Sequence, residues 1–165
     1  MSSPETSNRF LDHLRRSLAD DTFVALQLSA PRSREAAAQR VDCRLIEIKG
    51  ALHLSCVHHE AKRDQTRNVP LNEAVDWVAM QIESAFANAL LRTTQRDWQY
   101  HAPSPGKVRL IAHKPRTAAP PSRAHDRSKH SLLGTEAADW LQALGVCDRQ
   151  GRPKPSMADK HRQIT

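Results

Sequence analysis

An α+β fold, with a mostly antiparallel sheet packed against two helices, is predicted by three features of this sequence. Apolar residues recur at helical spacing in two stretches, around residues 10–18 and 71–86. Between and after these stretches they recur at every second residue, the period of a strand with one covered face. Regular strand-helix-strand alternation is missing, which argues against a parallel sheet.

The first helix rests on Phe10, Leu11, Leu14 and Leu18, with Arg9, Asp12, His13, Arg15 and Arg16 mostly on the other side. Thr6, Ser7 or Asn8 is expected to cap its start, and Asp20 and Asp21 to end it. The run Phe23 to Leu28 predicts a strand that Pro31 stops. Residues 32–40, RSREAAAQR, are read as an exposed loop. In VDCRLIEIK, Ile46 and Ile48 alternate with Glu47 and Lys49; after Gly50, Leu52, Leu54 and Cys56 alternate with His53 and Ser55. Lys49-Gly50 between these runs predicts a hairpin. The polar stretch HHEAKRDQTRN suits an edge strand that displays its charges. From Pro70 the period becomes helical, with Leu71, Ala74, Val75, Val78, Ile82, Ala85 and Phe86 on or near one stripe. Three strand-like runs follow, Ala89 to Thr93, Trp98 to His101 and Val108 to Ala112, the last two separated by the turn sequence APSPGK.

Domain organisation follows from composition. Residues 1–114 form the predicted α+β domain. Residues 115–131 carry three prolines and four basic residues against one acid, and read as a basic Pro-containing linker. Residues 132–165 form a short helical C-terminal segment: Ala138, Trp140, Leu141 and Leu144 supply an apolar stripe, Thr135 a cap, Gly145 a stop, and Ser156 the first turn of a further helix.

Twenty-five basic residues against 18 acidic ones leave the 165-residue chain with a formal charge of +7, which favours anionic partners such as RNA. No apolar stretch approaches the roughly 20 residues needed to cross a bilayer, so a cytoplasmic protein without membrane contact is expected. Cys43, Cys56 and Cys147 are too few and too scattered for a disulfide framework and read as small buried hydrophobes. The five glycines are isolated, so no phosphate-cradling or dinucleotide loop is present, and no nucleophile constellation exists. No catalytic residue and no cofactor are assigned to this chain.

His58, His59 and Glu60 have metal-ligand chemistry, but neighbours on a strand point to opposite faces, and no metal site is expected. The binding candidates are basic. Arg63 and Arg67 are placed on one strand face; Arg92, Arg96 and Arg109 form a second group; His125, Arg127 and Lys129 lie in the linker. Trp77 and Trp140 read as core residues. Trp98 and Tyr100 share a strand parity next to Arg96 and are the candidates for stacking on a base.

The combination of KRDQTRN at 62–68, LRTTQ at 91–95, AHDRSKHSLL at 124–133 and the pattern from Trp140 to Ile164 ending in MADKHRQI resembles the N-terminal region of a bacterial family of S-adenosylmethionine-dependent class I methyltransferases. The resemblance spans most of the chain and is strongest from His125 to Ile164. It implies an accessory region, with S-adenosylmethionine bound by a following Rossmann-like methyltransferase domain that lies beyond Thr165. His125, Asp126, Arg127 and Lys129 match the family's linker motif; Lys160, Arg162 and Gln163 match the segment before the catalytic core and are expected to dock against it. Two readings follow: a substrate-recognition region of a methyltransferase-like protein that is not competent alone, or a free-standing basic module for RNA or an acidic protein.

Overall fold

The computed structural model of the chain describes residues 3–104, 106–123, 138–146, 148 and 154–157. It divides into two units, Met1–His125 and Asp126–Thr165. In the first unit the elements run α1 (Ser3–Ala19), β1 (Phe23–Pro31), β2 (Ala38–Ile48), β3 (Ala51–Glu60), β4 (Asp64–Pro70), α2 (Ala74–Met80), β5 (Phe86–Thr93), β6 (Asp97–Ser104) and β7 (Lys107–His113). The strands form one sheet of order β4-β3-β2-β1-β5-β6-β7, antiparallel at every junction. The predicted fold class, α+β with an antiparallel sheet and two covering helices, is the observed one.

Helix α1 buries Thr6, Phe10, Leu14 and Ser17, a stripe one turn apart at each step. It starts at Ser3, so Thr6 is an interior residue and not the expected cap. Its end is closed by Asp21 in the left-handed region (φ 62°), and the Thr22 N–H donates to the Ser17 carbonyl at 3.1 Å. Lys49 and Gly50, at φ 52° and 78°, make the tight β2–β3 hairpin turn that the sequence marks. Strand β2 begins at Ala38, inside the stretch expected to be loop, because Arg40 pairs with Ser29 of β1. Strand β5 likewise begins earlier than expected, at Phe86.

The chain crosses from the edge strand β4 to β5 through a 3-10 turn (Leu71–Glu73), α2, and a π-helical turn (Gln81–Ala85). Trp77, Val78 and Ile82 from this crossover meet Phe10 and Leu14 of α1 over one sheet face, where Leu28, Val41, Leu54, Leu91 and Tyr100 complete the core. Cys43 and Cys56 oppose each other in register within it. A hydrogen bond with Cys56 and burial push the Cys43 thiol well up, and both side chains are buried, as expected of small hydrophobes.

Residues 114–123 carry no regular structure, and the chain folds back at Arg123: its carbonyl accepts from the Glu47 N–H at 3.0 Å and its guanidinium pairs with Asp21. In the second unit α3 (Ala138–Ala143) ends at Gly145 (φ 69°), the predicted stop, where the Val146 N–H donates to the Leu141 carbonyl. A 3-10 turn follows at Pro155–Met157. Thr135 and Cys147 lie outside the described residues. Among the described residues no helix is long and apolar enough to cross a membrane.

Candidate nucleic-acid interface

With both helices on one side, the strand period leaves every other residue on a sheet face that no described helix of this unit covers. In-register partners extend across all seven strands. One row reads Asp64, His59, Arg40, Ser29, Asn88, His101, Arg109 from β4 to β7. The next reads Thr66, Val57, Asp42, Gln27, Leu90, Gln99, Ile111. A third includes Asn68, Ser55 and Arg44, followed by the pair Ala25 and Arg92; on this face Ser55 and Ile46 are buried.

The parts of this face differ electrostatically. Around Asp42 the charges are matched: Asp42 accepts from Arg40 (3.1 Å), Gln27 (2.8 Å) and His59 (3.0 Å), and the other His59 ring nitrogen lies 3.0 Å from Asp64. Elsewhere on the face the balance is positive. Among the described residues no acid pairs with Arg44, Arg92 or Arg109. Ala25 pairs in register with Arg92, and a hollow of about 200 Å³ there is lined by Ala25, Leu26, Gln27, Asp42, Leu90 and Arg92. The Arg92 guanidinium at this depression can donate charge-assisted hydrogen bonds to a phosphate or carboxylate.

The sequence-derived candidates divide between several places. Arg92 and Arg109 lie on this face. Arg67 sits on β4 with its register partner Cys56, on the helix-covered side, where it remains exposed at the sheet edge. Arg63 is in the β3–β4 turn and pairs with Glu60 at 3.3 Å, so it does not share a strand face with Arg67 as expected. Arg96 is in the β5–β6 turn, 5.9 Å from the Trp98 ring centre. That turn is fixed by Thr93, whose Oγ1 donates to the Arg96 carbonyl and accepts from the Gln95 and Arg96 N–H groups.

The aromatic candidates need correction. Tyr100 is buried at 3% exposure, with its hydroxyl 3.0 Å from Ser7 Oγ. Trp98 is half-buried and already stacked on His13, with ring centres 3.6 Å apart and planes 12° from parallel. Both share a parity, as the sequence says, but it is the parity of the helix-covered face, opposite Arg92 and Arg109. His13 is pushed down from its ordinary value by burial and by the Arg16 and Arg9 charges. Trp77 is a core residue, as expected. His125, Arg127, Lys129, Lys160, Arg162 and Gln163 lie outside the described residues.

Sequence reasoning passed over Arg44 and Arg40. The signal was available: Arg44 alternates with Cys43 and Leu45, so it projects away from the core that those residues enter. His58 and His59 do point to opposite faces, His58 toward Trp77 and His59 toward Asp42 and Asp64. Among the described residues no group of three or more His, Cys, Asp or Glu side chains is placed to hold a metal ion. Compared with known proteins, the chain matches no family model, no curated protein and no solved structure.

Proposed function

We propose that this chain is a substrate-recognition module, not catalytic by itself, which grips the backbone of single-stranded RNA on the sheet face that carries Arg44, Arg92 and Arg109 and presents it to an S-adenosylmethionine-dependent methyltransferase domain. The observation that carries the RNA half is the trio Arg44, Arg92 and Arg109, on one face and without acid partners among the described residues. The methyltransferase half is supported by the motifs at 124–133 and 140–164. No described Trp, Tyr or Phe lies in the rows across that face, so contact is to phosphate rather than to bases, and binding is tolerant of sequence.

The test is fluorescence anisotropy with a labelled single-stranded RNA across a salt series. Binding is expected to weaken steeply with salt. Replacing Arg44, Arg92 and Arg109 together by Ala should reduce the logarithmic salt slope by about 2, because each phosphate neutralised on a single strand contributes roughly 0.7. An unchanged slope in the folded triple variant would overturn the assignment. Calorimetric titration with S-adenosylmethionine addresses the other half: tight donor binding by this chain alone would contradict a purely recognising role.

A further inference from the structure

A cleft of about 470 Å³ lies on the other side of the sheet, between α1, the π-helical turn and the β6–β7 hairpin. This is within the range of roughly 300–1,000 Å³ typical of small-molecule sites. Its polar anchor is Arg32. One guanidinium nitrogen donates to the Ala102 carbonyl at 3.1 Å and another to the Ile82 carbonyl at 3.0 Å, so the group is held in place with N–H donors to spare. The backbone is shaped to put it there. Ala30, two residues before, adopts φ 57°, an unfavourable conformation for a residue with a Cβ, and the Arg32 N–H donates to Ala85 at the end of the π-helical turn. A π turn is a rare element that recurs at binding sites.

Glu83 also lines the cleft and directly follows Ile82, whose carbonyl holds Arg32; the two opposite charges therefore flank a single peptide group. They do not pair with each other, and neither pairs with any other described acid or base. The same lining includes the apolar side chains of Leu11, Ile82 and Val108. A simple carboxylate would meet Arg32 but suffer the Glu83 charge, and a simple amine would have the reverse difficulty. We propose that this cleft binds a small zwitterion with an aliphatic body, the chemistry of a free apolar α-amino acid, its carboxylate on Arg32 and its ammonium on Glu83. The Ser7 and Tyr100 hydroxyls, 3.0 Å apart, line the same cleft.

Nuclear magnetic resonance titration of the isotope-labelled full chain tests this with three probes of one shape: L-leucine, 4-methylpentanoate, which lacks the ammonium, and 3-methylbutylamine, which lacks the carboxylate. Leucine is expected to give saturable shifts at Ser7, Glu83 and Tyr100, and each truncated probe to bind at least about tenfold more weakly. Arg32→Gln and Glu83→Gln should each cost leucine a similar factor. Glu83 is exposed and makes no described bond that the fold needs, so its variant is informative even if Arg32→Gln fails to fold. Binding of 4-methylpentanoate as tightly as leucine, leucine binding unaffected by Glu83→Gln, or no saturable shift with any probe would each overturn the proposal. RNA binding by Glu83→Gln should equal that of the unaltered chain, which separates this site from the sheet face.

Discussion

His59 Nε2 lies 3.0 Å from Asp42 Oδ2 across the β2–β3 pair. Its Nδ1 is the same distance from Asp64 Oδ1 on β4, so one imidazole ties the edge strand to the third strand in. The three side chains are all partly exposed, and such pairs contribute little in water. His59→Ala is therefore expected to cost about 1 kcal/mol or less in urea unfolding. Its effect should be local: amide hydrogen exchange should speed up along β4 while β1 and β5 stay protected. Uniform loss of protection across the sheet would contradict this.

The other imidazole of the pair behaves differently. His58 sits edge-on to Trp77, 6.1 Å between ring centres, and its Nε2 is buried without a hydrogen-bond partner. Burial, then the Arg67 charge, lower its pKa from the ordinary 6.5, with Glu60 opposing. A lowered native pKa means that the unfolded chain binds more protons between the two values, so stability rises with pH there. Stability is thus fully present above about 6.5 and is lost as the pH falls through the native value of His58. His13 contributes with the same sign. Urea midpoints measured from pH 7.5 downward should fall for the unaltered chain and fall less for His58→Leu. Equal slopes would show that His58 is not the source.

How far the fold was legible depended on what each signal encodes. Alternation through Val41 to Ile48 and Leu52 to Cys56 marked two strands and their turn, but Ile46 and Ile48 lie on the face opposite Val41, Cys43, Leu45 and Leu54, and Ile46 and Ser55 are buried there, so period alone did not say which face is covered. The same parity placed Trp98 and Tyr100 together correctly. Which face they share depends on where α1 lies, a long-range packing fact that strand periodicity does not contain. The β3–β4 turn is the second case. KRDQTRN is polar throughout, so no apolar residue marked where the strand began, and Arg63 fell in the turn while Arg67 fell in β4. The pairing of Arg32 with the Ile82 and Ala102 carbonyls joins residues 50 and 70 positions apart, and no local pattern announces it.

Trp98 decides between two uses of an aromatic beside basic residues. A base-stacking tryptophan offers a free face, whereas Trp98 stacks on His13 of α1 and lines a hollow of about 370 Å³ with Arg16, Gln95 and Arg96. In this position its contribution is to packing of α1 on the sheet. Because it is half-buried, Trp98→Ala is expected to cost about 2 kcal/mol, below the roughly 3–5 kcal/mol of a fully buried aromatic. His13→Ala should remove the same stack, so the two effects should be less than additive in a double-mutant cycle. RNA affinity of folded Trp98→Ala should match that of the unaltered chain within about twofold, since the phosphate contacts proposed for Arg44, Arg92 and Arg109 lie across the sheet. A large drop in affinity with intact folding would move the interface to the helix-covered side and end the case for the arginine-bearing face.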